Sequence, residues 1–255
     1  MTDETVRRIQ RVRYEIQQRE LRVTRVEPRG DRFVAVTVQG DSLRSFASAS
    51  FDDHVKLMLP DGAGGLLMRD YTPRAFDNER GELVLEFALH GDGPFAGWAA
   101  RAEPGQLLTV AGPRGSMVIP VDYDWHLLVG DDSAWPAIAR RLEELPAGGR
   151  VDVLLLMPDV PAWPAATSAR PRCFATPEAL TQALRELRLP AGEGFAWCAG
   201  EAHLMASLRD ILLHEKRHPK AAMKVAAYWK QGAVGFHARL DDDAPAAASA
   251  SAVTA

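Results

Sequence analysis

The chain has 255 residues, 47% of them hydrophobic and 25% charged, a globular profile with room for one large or two mid-sized domains. Its formal net charge of -4 argues against a general nucleic-acid binder, which is normally basic. The two cysteines, Cys173 and Cys198, exclude a disulfide scaffold and also a four-cysteine iron–sulfur cluster within this chain. Arg7, Arg8, Arg11 and Arg13 stand among acids, without the apolar core of a secretory signal. No apolar run approaches the length of a membrane span. A soluble, cytoplasmic protein is expected.

The first half reads as β. Strands are expected at Leu21–Val26, Arg32–Val38, His54–Leu59, Glu82–Leu89 and Leu107–Val110, short runs rich in Val, Leu and Phe. Turn clusters such as Pro28-Arg29-Gly30-Asp31 and Asp61-Gly62-Ala63-Gly64-Gly65 separate them. Short strands at this spacing suggest a small barrel or sandwich, with a helical turn at Phe95–Ala102 opening after Gly93-Pro94.

The second half changes character. Trp125–Val129, Val151–Met157, Arg172–Ala175, Gly194–Cys198 and Met223–Tyr228 read as buried strands. Between them, Trp135, Ile138, Leu142 and Leu145 recur at helical spacing after Ser133, the expected N-cap. Thr176 caps a second helix begun by Pro177, with Leu180, Leu184 and Leu187 on one face. Leu204, Leu208, Ile211 and Leu212 mark a third. Strand–helix alternation implies a mostly parallel sheet with covering helices. Residues 158–170 read as a surface loop in place of one crossover helix, and the tail 241–255 as disordered. The expected architecture is therefore a β-barrel domain at 1–120 and an α/β nucleotide-type domain at 121–240.

Five segments carry chemistry. Arg69-Asp70-Tyr71-Thr72-Pro73-Arg74 sets two guanidinium groups, a phenol and a hydroxyl within six residues. Arg binds phosphate oxygens bidentately and Tyr offers a stacking plane, so a flat heteroaromatic ligand with a phosphate tail suits it; an ordinary turn between strands is the other reading. His90-Gly91-Asp92-Gly93-Pro94-Phe95-Ala96 ends a strand and opens a helix, where free amides attract anions and glycines admit a phosphate; a Gly-Pro hairpin explains it equally. Gly130-Asp131-Asp132-Ser133 and Gly200-Glu201 are strand–glycine–helix turns where doubly wound sheets bind ligands. Neither carries the G-x-G-x-x-G fingerprint, and each is also an ordinary βα turn. Tyr228-Trp229-Lys230 places two aromatics and a cation after the last strand, for packing or for ligand contact. Lys216, Arg217, Lys220, Lys224, Lys230 and Arg239 stand against the single acid Glu215 between His214 and Arg239, as a solvated surface or as a landing site for an anion. His214 and His218 have no third metal ligand in view, and no G-x-S-x-G elbow is present.

In this order the segments, together with Val110–Ser116 and Asp53-His54-Val55-Lys56-Leu57, resemble the siderophore-interacting protein family of flavin-dependent ferric-siderophore reductases. The resemblance implies a flavin-binding antiparallel barrel joined to a nicotinamide-binding parallel-sheet domain. It implies that NADPH, or NADH, reduces iron(III) held by a siderophore through FAD, with no catalytic residue in the protein and no metal site. Arg69, Tyr71 and Thr72 would hold the flavin ring and phosphates; His90, Gly91, Gly93 and the amides near Ala96 would hold the pyrophosphate. Asp131 and Ser133 would reach the flavin from the second domain, and Gly200 and Glu201 would border the nicotinamide cleft. Lys224, Trp229 and Lys230 are the expected siderophore contacts, and a monomer without nucleic-acid or membrane partners is expected. Three segments depart from the pattern. Phe95 and Ala96 replace a small residue and a Ser or Thr, Asp132-Ser133 replaces Glu-Thr, and Lys230 replaces Arg. A general flavin reductase and a non-catalytic siderophore binder are the alternatives.

Overall fold

The computed structural model describes residues 8–89, 93–160 and 169–233, with the backbone of 238–239. The tail at 241–255, His90 and Gly91 lie outside the described residues, as do 161–168 of the expected surface loop. The N-terminal half holds β1 (Gln10–Arg13), β2 (Gln18–Arg29), β3 (Phe33–Gln39), β4 (Val55–Pro60), β5 (Leu66–Tyr71), β6 (Ala75–Asp77), β7 (Glu82–Ala88), α1 (Pro94–Ala99), β8 (Leu107–Ala111) and β9 (Gly115–Val118). Seven of the strands form one antiparallel, barrel-like sheet in the order β5-β4-β8-β2-β3-β7-β6, while β1 pairs with β9. Strict alternation drives it: on β7 Leu83, Leu85 and Phe87 point inward while Val84 and Glu86 are half-buried, the period of a one-sided sheet. The inward residues, with Val36, Val38, Leu57 and Phe95, make one apolar core.

Two expectations change here. The residues read as a turn at Pro28-Arg29 belong to β2, paired through Arg29 opposite Phe33. The first half of Arg69–Arg74 is the end of a strand, β5, opposite β4. Its second half, Thr72-Pro73-Arg74, runs from one edge strand of the barrel to the other, and the Arg74 amide donates to Val84 O at 3.0 Å. The segment therefore closes the barrel.

The C-terminal half holds β10 (Trp125–Asp131), α2 (Trp135–Glu144), β11 (Val151–Leu156), β12 (Pro171–Cys173), α3 (Pro177–Glu186), β13 (Gly194–Glu201), α4 (Ala202–Asp210), β14 (Met223–Trp229) and β15 (Ala238–Arg239). The sheet order is β12-β11-β10-β13-β14-β15, parallel except for β15. β10 and the first seven residues of β13 are fully buried, as strands covered on both faces must be. Thr176 caps α3 as expected, its Oγ1 accepting from the Ala179 amide at 3.2 Å. Ser133 does not cap α2: the helix starts at Trp135 behind Ala134, and the Ser133 hydroxyl donates to Asp131 Oδ1 at 2.5 Å. A shared apolar core joins the halves, with Phe33 and Phe51 from the barrel packed among Trp135, Ile138 and Trp197 of the α/β half.

His126, buried on β10, has its pKa lowered to about 4 by burial and then by the nearby Arg141 charge. A lowered folded-state pKa adds stability above the unfolded value near 6.5 and removes it as pH falls toward 4. Asp53 works in the opposite sense. Burial raises its pKa to about 6, so its contribution is present below about 3.8 and fades as pH rises through 6. Asp53 remains in the variant His126→Phe, so a comparison isolates the histidine. Urea unfolding should show wild type losing more stability than His126→Phe between pH 6.5 and 4.5; equal losses would contradict the assignment.

Candidate flavin and nicotinamide cleft

The barrel-closing segment meets the carboxyl edge of the parallel sheet across a cleft of ≈ 410 Å³, within the ~300–1,000 Å³ of cofactor sites. Arg69, Tyr71 and Thr72 line one wall, Gly93 and Ala96 of the α1 entrance a second, and Ser133 and Trp229 the side nearest the sheet. Seven residues singled out in the sequence thus share one cleft. Tyr71 is half-buried, with its ring 4.5 Å from Phe87 and 5.8 Å from Phe95 between centroids. Burial raises its pKa against the opposing pull of Arg69, so the phenol stays protonated at neutral pH. Thr72 is buried. Phe95, one of the departures, is 3% exposed and belongs to the barrel core, so its ring backs Tyr71.

Asp131, Gly200 and Glu201 form a node behind the cleft. Asp131 is buried, and its two oxygens accept four hydrogen bonds. Oδ1 takes the Ser133 amide and hydroxyl; Oδ2 takes the Glu201 amide at 3.0 Å and Trp229 Nε1 at 2.9 Å. Burial raises its pKa against the pull of those donors. Asp131 therefore fixes the Trp229 side chain. Gly200 has φ 151°, and a Cβ there would stand 2.5 Å from Asp131 Oδ2, so the site requires glycine. Glu201 caps α4, accepting from the His203 and Leu204 amides. Gly130 lets α2 close on β10: a Cβ there would lie 2.4 Å from the Ala134 Cβ.

The expected siderophore contacts separate. Trp229 lines the cleft and is 40% exposed. Lys230 is exposed beside it. Lys224 is buried, pairs with Asp52 and lies away from the cleft lining, so its charge is used inside the fold. Lys216 binds the carbonyls of Arg185 and Leu187 at the end of α3. The basic stretch is thus partly structural. His54, Lys56 and Glu86 also line the cleft, though sequence reasoning gave them no role. The signal was present in β4, where Val55, Leu57 and Leu59 are core and Lys56 and Met58 take the other face, with His54 just before the strand.

A guanidinium, a hydroxyl, an aromatic face and a glycine with open space around its Cβ position are groups suited to a flavin nucleotide. FAD fits these residues. A flavin barrel against a parallel sheet, with the cleft at the strands' carboxyl ends, defines the ferredoxin-reductase-like class. Ferredoxin reductases of known structure share the fold at TM-scores of 0.61 and 0.55, at 19% and 14% identity.

The chain belongs to the siderophore-interacting protein family: residues 123–232 match the siderophore-interacting protein family itself and 61–117 the siderophore-interacting FAD-binding domain. The NADPH-dependent ferric-chelate reductase of Escherichia coli is 34% identical over 88% of this chain and 98% of its own length. A ferric vibriobactin reductase of Vibrio cholerae is 30% identical over 77% and 83%. A siderophore utilization protein from T. fusca superposes with a TM-score of 0.82 at 31% identity, over 89% of this chain and 98% of that one.

Proposed function

We propose that this chain is an FAD-dependent ferric-siderophore reductase, which takes electrons from NADPH and delivers them to siderophore-bound Fe(III), releasing Fe(II). The observation that carries this is the convergence of Arg69, Tyr71, Thr72, Gly93, Ala96, Ser133 and Trp229 on one cleft between barrel and sheet. Bound FAD supplies the conversion of a two-electron donor into single-electron steps; the protein supplies position and electrostatics. Arg69 holds the phosphates, Tyr71 and Thr72 the ring, and Gly93 and Ala96 leave the backbone open to the pyrophosphate, with His90 and Gly91 assigned to the same group. Gly200 and Glu201 border the nicotinamide, with Asp131 acting through Trp229 rather than on the flavin. Trp229 and Lys230 face the iron complex. Each NADPH reduces two Fe(III) to Fe(II) and leaves NADP+ and one proton, which solvent at the open cleft can take, so no side chain needs to act as general acid or base.

Among the described residues no helix is long and apolar enough to cross a membrane. We assign the enzyme to the cytoplasm, where reduced nicotinamide is available, and expect a monomer on gel filtration.

The purified protein should be yellow, keep FAD through gel filtration and form ferrous iron from a ferric siderophore when NADPH is added. A colourless protein that takes up no added FAD would sink the proposal. Free flavin outcompeting ferric chelates as acceptor would favour a general flavin reductase.

A further inference from the structure

Thr72-Pro73-Arg74 has two sides. Thr72 faces the cleft, whereas Pro73 and Arg74 meet α2 of the other half. Arg140 on α2 donates from Nη1 to Pro73 O at 2.9 Å and to Ser48 Oγ at 2.8 Å, and from Nη2 to Ser48 O at 2.9 Å. Its Nε donates to Glu144 at 3.0 Å, so every nitrogen of the guanidinium is engaged. One turn further on, Glu143 takes Arg74 bidentately, at 2.8 and 2.6 Å. Arg74 Nε also lies 3.6 Å from Glu86, a cleft residue. Arg140 and Glu143, three apart, share one helix face. The same helix carries Pro136 on the cleft wall and starts just after Asp131 and Ser133. One rigid element thus grips the barrel-closing turn at two points and also borders the cleft.

We propose that Arg74, Arg140 and Glu143 form a positioning lock, through which α2 fixes Tyr71 and Thr72 relative to the carboxyl edge of the parallel sheet. The inference rests on the reading of Tyr71 and Thr72 as flavin contacts. Donor and acceptor approach from opposite halves of the molecule, so their separation is set by whatever holds the halves in register. The planar, bidentate Arg74–Glu143 pair resists rotation, whereas a Lys pair would not. The Arg140 bond to the Pro73 carbonyl fixes the backbone itself.

Glu143 is half-exposed and does not line the cleft, so Glu143→Ala should fold. Glu215→Ala breaks an exposed pair with Arg185 and serves as the control. Full-length proteins would be loaded with saturating FAD and followed by anaerobic stopped-flow bleaching with NADPH, visible circular dichroism of the flavin, and thermal melting. Glu143→Ala should bleach about tenfold more slowly with a changed dichroism band, within the ~100-fold range of a 1 Å misplacement. Glu143→Gln, which keeps one acceptor oxygen, should recover part of the rate, and Glu215→Ala should match wild type. Wild-type bleaching and dichroism in Glu143→Ala would overturn the lock, whatever the melting temperature does. A wild-type protein that neither binds FAD nor bleaches would sink the flavin reading and the lock with it.

Discussion

Asp52→Ala is expected to destabilise the protein by about 3–5 kcal/mol, the range for breaking a buried ion pair by removing one partner. Asp52 is buried, and Oδ2 accepts from Lys224 Nζ and from Trp197 Nε1 at 3.2 Å, while Oδ1 accepts from Ser50 Oγ at 2.8 Å. Truncation leaves an ammonium and an indole N–H without their acceptor beneath β13 and β14. The loss lies where the barrel loop carrying Phe51 enters the other half; Phe51 and Trp197 pack at 5.3 Å. Against a total stability of ~5–15 kcal/mol this is a large share for one residue. Asp52→Asn keeps the shape but not the charge and should fall between. Burial alone would raise the Asp52 pKa, but Lys224 and the hydrogen bonds outweigh it and bring it below the usual carboxylate range. A depressed folded pKa adds stability above about 3.8 and loses it as pH falls further. The gap between wild type and Asp52→Asn should therefore narrow below pH 3.8. Urea melts at pH 7 and pH 3 check both statements. A loss under about 1 kcal/mol at pH 7 would mean that Lys224 escapes to water, contrary to the packing.

Lys224 shows where sequence reading stops. In the chain it stands among surface-like cations, but its partner lies 172 residues away, and no local pattern announces such a pair. The parallel sheet was legible because doubly covered strands are continuous apolar runs: Trp125–Val129 and Gly194–Cys198 both lie within strands. β5 was missed because its exposed residues Leu66 and Met68 are as apolar as Leu67, which packs on the core, so no apolar–polar alternation marks it in the sequence. The cleft was legible in its glycines, aromatics and Arg69, whose chemistry is local. Arg74 was not, because its meaning depends on Glu143 and Glu86 from separate elements. Ser133 had the right residue type for a cap, but the N-cap position of α2 falls one residue later, on Ala134, and the Ser133 hydroxyl is turned back to Asp131 Oδ1, so it does not reach the first turn of the helix.

Arg69→Ala should raise the dissociation constant for FAD about 10–100-fold, equivalent to the ~1.5–3 kcal/mol of a hydrogen bond to a charged group. The guanidinium lines the cleft and donates from Nη1 to Met68 O at 2.8 Å, in an exposed setting. The fold therefore does not depend on it, and the thermal midpoint of the apo-protein should stay near that of wild type. Arg69→Lys should fall between, because an ammonium restores the charge but not the planar two-point contact with phosphate. Salt separates charge from shape. Wild-type affinity should decline as salt screens the guanidinium, and Arg69→Ala should decline less. With FAD saturating, the variant should reduce ferric siderophore at close to the wild-type turnover if, as proposed, Arg69 anchors the phosphates and leaves the ring to Tyr71 and Thr72. Flavin fluorescence titration of the apo-protein reads the affinity. A dissociation constant within threefold of wild type would move the phosphate anchor from Arg69 to the backbone around Gly93 and Ala96.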